Sequence, residues 1–172
     1  GDKKKDVRSA KTNRIIAYHE AGHAIANSLL TKDNVPKVTI VGSTSGAGGI
    51  TFRVPKEEGL QTKKYFENQI KCMYAGRAAE YVLSNDSNLI TNGASNDIEQ
   101  ATKIIKAYIG KFGMGSAGLI DLSEFKDSDK DIFNEAKSLS EKLYTEALIE
   151  KETITGDELS SIIKQSEVKE EV

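Results

Sequence analysis

The sequence predicts a mainly helical α+β domain, a helical bundle or array carrying one small β-ribbon. Four stretches repeat apolar residues every three or four positions, which is the period of a helix with one buried side. A single stretch alternates apolar and polar residues, which is the period of a half-buried strand. Glycine- and asparagine-rich segments separate them.

The first helix is expected from about Thr12 to Leu30, where Ile15, His19, Gly22, Ala26 and Leu30 share one face. Asp33, Asn34 and Pro36 then stop it. Val35–Val41 is rich in β-branched residues, and Ile50, Phe52 and Val54 alternate with Thr51 and Arg53. With Gly42–Gly49 between them, these two runs read as the β-ribbon and its loop. That loop lacks the Lys-Ser/Thr ending of a phosphate-binding loop and precedes no helix pattern. A second helix is expected over Thr62–Leu83, with Phe66, Ile70, Met73, Arg77 and Glu80 along one side. A polar turn at Asn92–Ser95 opens a third helix running to about Phe112, with Ile98, Ala101, Ile105 and Tyr108 in register. Ile132, Ala136, Leu139, Leu143 and Ala147 mark the fourth. Thr155 and Glu158 form a capping-box pattern before a short last helix, and the charged end from residue 166 to 172 is expected to be disordered.

A chain of 172 residues is long enough for one cored domain without disulfide support. With 24 basic and 26 acidic residues, the net charge of −2 gives no electrostatic case for nucleic acid. Basic residues gather at Lys3, Lys4, Lys5, Arg8, Lys11 and Arg14, and read as a solvated entry segment. The one cysteine, Cys72, rules out an intramolecular disulfide and fits a reducing compartment. No stretch is long and apolar enough to suggest a bilayer span or a signal peptide, so the chain as given is expected to be soluble.

The chemistry lies at His19–His23, which reads HEAGH and contains both histidines of the chain. Residues four apart on a helix stack on one face, so both imidazoles can reach one ion. Neutral imidazole suits zinc. Glu20, beside the first histidine, is placed to act as general base toward a water whose pKa the metal lowers toward about 7. The small residues Ala21, Gly22, Ala24 and Ala26 let another element pack close to the ion. A catalytic zinc takes three protein ligands and keeps one position open. No histidine remains for the third, and position 29, where an extended motif would have one, is Leu29. Cys72 lies in the apolar part of the second helix and reads as packing. Glu80 and Asp97 are the main carboxylate candidates, with Glu99 behind them, and spacing does not choose between the first two.

AYHEAGHAIA at Ala17–Ala26, GRAAE at Gly76–Glu80 and TNGASNDIEQAT at Thr91–Thr102 together resemble the FtsH protease domain, peptidase family M41. The resemblance continues through GKFGMG at Gly110–Gly115 and EKETITGDEL at Glu150–Leu159. It implies a zinc metalloendopeptidase with one Zn²⁺ per chain on His19, His23 and Asp97, and with Glu20 as the base. Glu80 would then orient a ligand histidine, or else pair with Arg77 within its helix.

The resemblance further implies an edge strand beside the zinc, with unfolded polypeptide substrates pairing along Gly49, Ile50, Thr51 and Phe52. It also implies a full-length protein that is a membrane-anchored homo-hexamer with an AAA+ module in the same chain. ATP would act only through that module, and the peptidase would face the bacterial cytoplasm or an organelle matrix or stroma. On this reading residues 1–14 are a junction, 15–165 the peptidase domain and 166–172 a tail.

Ala75 and Tyr81 stand where the family usually has a second glycine and a second acidic residue, and the stretch from Gly118 to Ile154 is shorter than the family norm. The rival class is a non-catalytic oligomerisation or peptide-binding module of the same fold, which the intact HEAGH and Asp97 oppose. A deformylase-type hydrolase fails for want of its cysteine-containing ligand motif.

Overall fold

The computed structural model describes residues 9–31 and 59–153, and the backbone of two short strands at 38–39 and 50–51. Four helices carry the fold: α1 (Ala10–Leu30), α2 (Lys63–Ser84), α3 (Ser95–Gly110) and α4 (Asp129–Thr153). Strands β1 (Val38–Thr39) and β2 (Ile50–Thr51) pair antiparallel, with Val38 opposite Thr51 and Thr39 opposite Ile50. The ribbon lies against α1. Gly49, Phe52, Val54, the Thr155–Glu158 capping pattern, the last helix and the charged tail lie outside the described residues.

Local chemistry sets the helix limits. The α1 helix starts at Ala10, two residues before the expected Thr12, because Ser9 caps it: its Oγ accepts from the Thr12 N–H at 3.1 Å. Thr62 does the same for α2, accepting from Tyr65 N–H at 3.0 Å, so Thr62 precedes the helix. Asn85 ends α2 in the left-handed region at φ 55° and returns its N–H to the Tyr81 carbonyl. The third helix stops at Gly110, short of the expected Phe112. There the Lys111 and Phe112 N–H groups both turn back to the Ala107 carbonyl, and Gly113 takes φ 66°. Glu135 of α4 fastens the loop that follows, accepting from Ser116 N–H at 2.7 Å and Ser116 Oγ at 2.9 Å.

The central helix is α2, with α1 on one flank and α3 and α4 on the other. On the second flank Ile70, Ala101, Ile105, Tyr108, Ile109 and Leu143 form the largest buried cluster. Ile98, in register with it by sequence, is 41% exposed instead, in the first turn of α3. A buried lysine reinforces the α2–α4 contact, with Lys71 Nζ 3.3 Å from Glu146 Oε1. On the first flank Ala26 of α1 packs with Cys72 and Ala75 of α2, and Ala17, Ala21 and Ile25 form a second buried cluster with Ile16, Tyr18 and Val82 against it.

Close approach of α1 and α2 requires Gly22. A Cβ there would lie 2.5 Å from the Ala75 carbonyl oxygen and 2.7 Å from Ala79 Cβ, and neither neighbour can move without moving α2. In an open helix Gly→Ala would stabilise by about 1 kcal/mol; here overpacking, at about 1–3 kcal/mol, decides the sign. We therefore expect Gly22→Ala to lower the thermal midpoint of the metal-free chain by several degrees. An unchanged or raised midpoint would show that the helices part without cost.

Candidate metal centre

One turn of α1 presents His19 and His23 toward α2, and each ring is fixed at Nδ1 by an acceptor from that helix. His19 Nδ1–H donates to Glu80 Oε2 at 2.6 Å, and His23 Nδ1–H donates to the Cys72 carbonyl at 2.8 Å. A carboxylate and a carbonyl can only accept, so in each neutral ring the proton sits on Nδ1 and the lone pair on Nε2. The two Nε2 atoms are 3.1 Å apart. Asp97 Oδ2, from the first turn of α3, lies 3.2 Å from each of them.

Three acceptor atoms thus face one point from the corners of a near-equilateral triangle. Acceptors gather this closely only around a proton or a cation. The edges are close to the roughly 3.3 Å separation of ligands about a tetrahedral zinc, given its bond lengths of about 2.0–2.1 Å. Among the described residues, His19, His23 and Asp97 are the one group of His, Cys, Asp or Glu side chains arranged to hold a metal ion. Gly76 of α2 lies over this face, where a Cβ would collide with His19 Nε2 and reach His23 Nε2 at 2.6 Å.

The two carboxylates that spacing left equal occupy opposite nitrogens of the same ring. Asp97 is on the Nε2 side with His23, and Glu80 is on the Nδ1 side, its side chain only 2% exposed. Glu80 does not take Arg77 as its partner: its second oxygen, Oε1, accepts from the Thr91 N–H and Oγ, both at 2.8 Å. Arg77 donates to the Thr91 carbonyl at 2.9 Å. Glu99 lies away from the site, exposed and 3.7 Å from Lys103. Cys72 contributes its backbone; its side chain packs with Ala26 and Ala75. Glu20 is buried beside His19. Of the residues expected to pair with substrate, Ile50 and Thr51 form β2, while Gly49 and Phe52 lie outside the described residues.

Two contributors were missed by sequence reasoning. The Cys72 carbonyl is backbone and carries no signal in the residue type. Thr91 stood inside a recognised segment, but its hydroxyl is one of many and only the fold aims it at Glu80.

Charge follows this geometry. Burial by itself would push the His19 pKa down, but its hydrogen bonds to Asp97 and Glu80 and the nearby Glu20 charge outweigh it and raise the value to about 9. Burial opposes ionisation of Asp97 too, and its hydrogen bonds to His19 and His23 hold it well below the usual carboxylate range. Glu80 is lowered despite its burial by His19 and Thr91.

The model of peptidase family M41 matches residues 6–146, and the chain belongs to that family. It is 37% identical over 187 residues to the ATP-dependent zinc metalloprotease FtsH 1 of Alkaliphilus metalliredigens, an alignment covering 94% of this chain and 32% of that protein. It is 34% identical over 201 residues to the chloroplastic ATP-dependent zinc metalloprotease FTSH 5 of Arabidopsis thaliana, covering 94% and 28%. With the ATP-dependent zinc metalloprotease FtsH of Clostridium perfringens the identity is 36% over 198 residues, covering 95% and 27%. The chain therefore spans between 27% and 32% of the length of these relatives.

The raised His19 pKa carries a pH dependence for the metal-free chain. A value near 9 in the folded state against about 6.5 unfolded means that His19 stabilises the fold fully below about pH 6.5. That contribution, on the order of a few kcal/mol, is lost as pH rises to 9. Denaturant titrations of the chelator-treated protein should show stability falling between pH 6.5 and 9, and Asp97→Asn should remove most of the fall. A flat profile would contradict the assignment.

Proposed function

We propose that this chain is the proteolytic domain of an FtsH-like ATP-dependent protease, a zinc metalloendopeptidase with one Zn²⁺ held by His19, His23 and Asp97. The observation that carries the reading is the convergence of three lone-pair atoms 3.1–3.2 Å apart, with both Nδ1 protons already committed elsewhere. When bound, the ion polarises a peptide carbonyl and lowers the pKa of water toward about 7. Glu20 takes the proton of the attacking water and delivers it to the departing amine as the C–N bond breaks. Glu80 and the Cys72 carbonyl keep the two imidazoles in the tautomer and orientation that aim Nε2 at the site.

Substrate is an unfolded polypeptide. The ribbon supports this: β2 lies against the site helix, and among the described residues it has one ladder partner, β1. An extended peptide can add to such an edge through backbone hydrogen bonds that ignore side-chain identity. The proposed contacts are Gly49, Ile50, Thr51 and Phe52. No helix of the described residues is long and apolar enough to cross a membrane. In the full-length protein we place a membrane anchor, an AAA+ module through which ATP acts, and assembly into a homo-hexamer that degrades membrane and unfolded soluble proteins.

Metal analysis and hydrolysis of an unfolded protein test the site together. Asp97→Ala should lose most of its zinc, and Glu80→Ala a smaller share. Glu20→Gln should keep zinc and slow hydrolysis by about 10²–10⁴-fold. Full zinc in Asp97→Ala with loss in Glu80→Ala would reverse the ligand assignment, and wild-type turnover in Glu20→Gln would end its role as base.

The strand is tested by placing proline at Ile50 and at Thr51 in turn. Successive N–H groups point to opposite edges of a strand, so one variant removes the outward donor and the other an inward one. Hydrolysis should fall steeply in the outward variant with zinc content and thermal midpoint unchanged. Wild-type rates in both would show that substrate does not pair there.

A further inference from the structure

Thr91 points all three of its polar groups at one face of α2. Its N–H and Oγ both reach Glu80 Oε1 at 2.8 Å, and its carbonyl accepts from Arg77 Nη2 at 2.9 Å. Arg77 and Glu80 are three residues apart and lie on the same side of that helix. The Thr91 Oγ also accepts from Gly93 N–H at 3.1 Å, closing the short turn at Asn92–Ala94 that leads directly into α3. Six residues after Thr91, Asp97 meets His19 Nε2 at 3.2 Å. His19 is therefore gripped at both ring nitrogens by the two ends of one segment, through Glu80 at Nδ1 and by Asp97 at Nε2.

We infer that Thr91 is a positioning residue of the metal centre: it locks the Glu80 carboxylate against His19 and sets the start of α3 so that Asp97 reaches the same ring. The inference rests on the zinc reading above. A carboxylate with both oxygens occupied has one orientation, and Thr91 supplies both bonds on the oxygen that His19 leaves over. A freely rotating Glu80 would let the His19 ring swing and widen the triangle. Partners of this kind govern metal affinity more than fold, with typical losses of about 10–100-fold on removal.

Thr91→Val keeps the size and the N–H bond but removes the hydroxyl. In competition between the protein and a chromophoric chelator for zinc, it should bind about tenfold more weakly, and Thr91→Ser should restore the affinity. The chelator-treated Thr91→Val protein should melt close to wild type, which a purely structural role would not allow. In a Glu80→Gln background, Thr91→Val should cost clearly less than in the wild type, because one of its two routes to the metal has already been cut. Thr91→Ala takes the same measurements if the valine variant does not fold. Wild-type affinity in Thr91→Val, or an equal loss in both backgrounds, would overturn the inference while leaving the zinc site standing. Wild-type protein that takes up no zinc would overturn the metal reading itself, and this inference with it.

Discussion

Two glycines govern how near α1 and α2 can come, and the site is a product of that distance. Gly22 lets α1 settle onto the Ala75 carbonyl, and Gly76 lets α2 pass over the two Nε2 atoms. At that separation the acceptors on α2 fall within hydrogen-bonding range of α1: the Cys72 carbonyl for His23 and Glu80 for His19. Beside Gly22 the contact is made with Ala75 and Ala79, because side chains of larger volume there would hold the helices apart and leave both imidazoles free to turn. Bulk is placed on the far side of α2, where Ile70, Ile109 and Leu143 anchor α3 and α4. The helix that fixes the histidines is itself fixed from behind.

A second constraint is electrostatic. Glu20, Glu80 and Asp97 bring three carboxylates to two imidazoles, two of the three at least nine-tenths buried. Such an excess of negative charge is expensive in a poorly hydrated space. In the metal-free chain a proton on His19 relieves it, which is the origin of the raised pKa. A dication at the triangle would relieve it more completely and would displace that proton.

The HEAGH pair and the four helices were legible because each depends on local periodicity: histidines four apart must share a face, and apolar residues every three or four positions mark a helix with one buried side. The caps Ser9 and Thr62 that set the first two starts were not read. Spacing could not rank Glu80 against Asp97, and the structure explains why. Both touch the same ring, on opposite nitrogens, so each satisfies any test based on proximity to His19. Ile98 fitted the period of α3 but stays exposed, since periodicity says which residues share a face and not how much of that face is covered. Thr91 and the Cys72 carbonyl were out of reach for a different reason: they act through backbone atoms or a common hydroxyl, and long-range packing alone gives them a role.

The donors of the triangle come from residues 78 positions apart in the chain. No segment holds the site by itself, so it exists only after α1, α2 and α3 have docked, and an unfolded chain offers at most the histidine pair. A ligand of that triangle would bind the native state almost exclusively. Each tenfold rise of free metal above its dissociation constant would then deepen the folded basin by about 1.4 kcal/mol, making cellular metal supply a determinant of how long the domain survives intact.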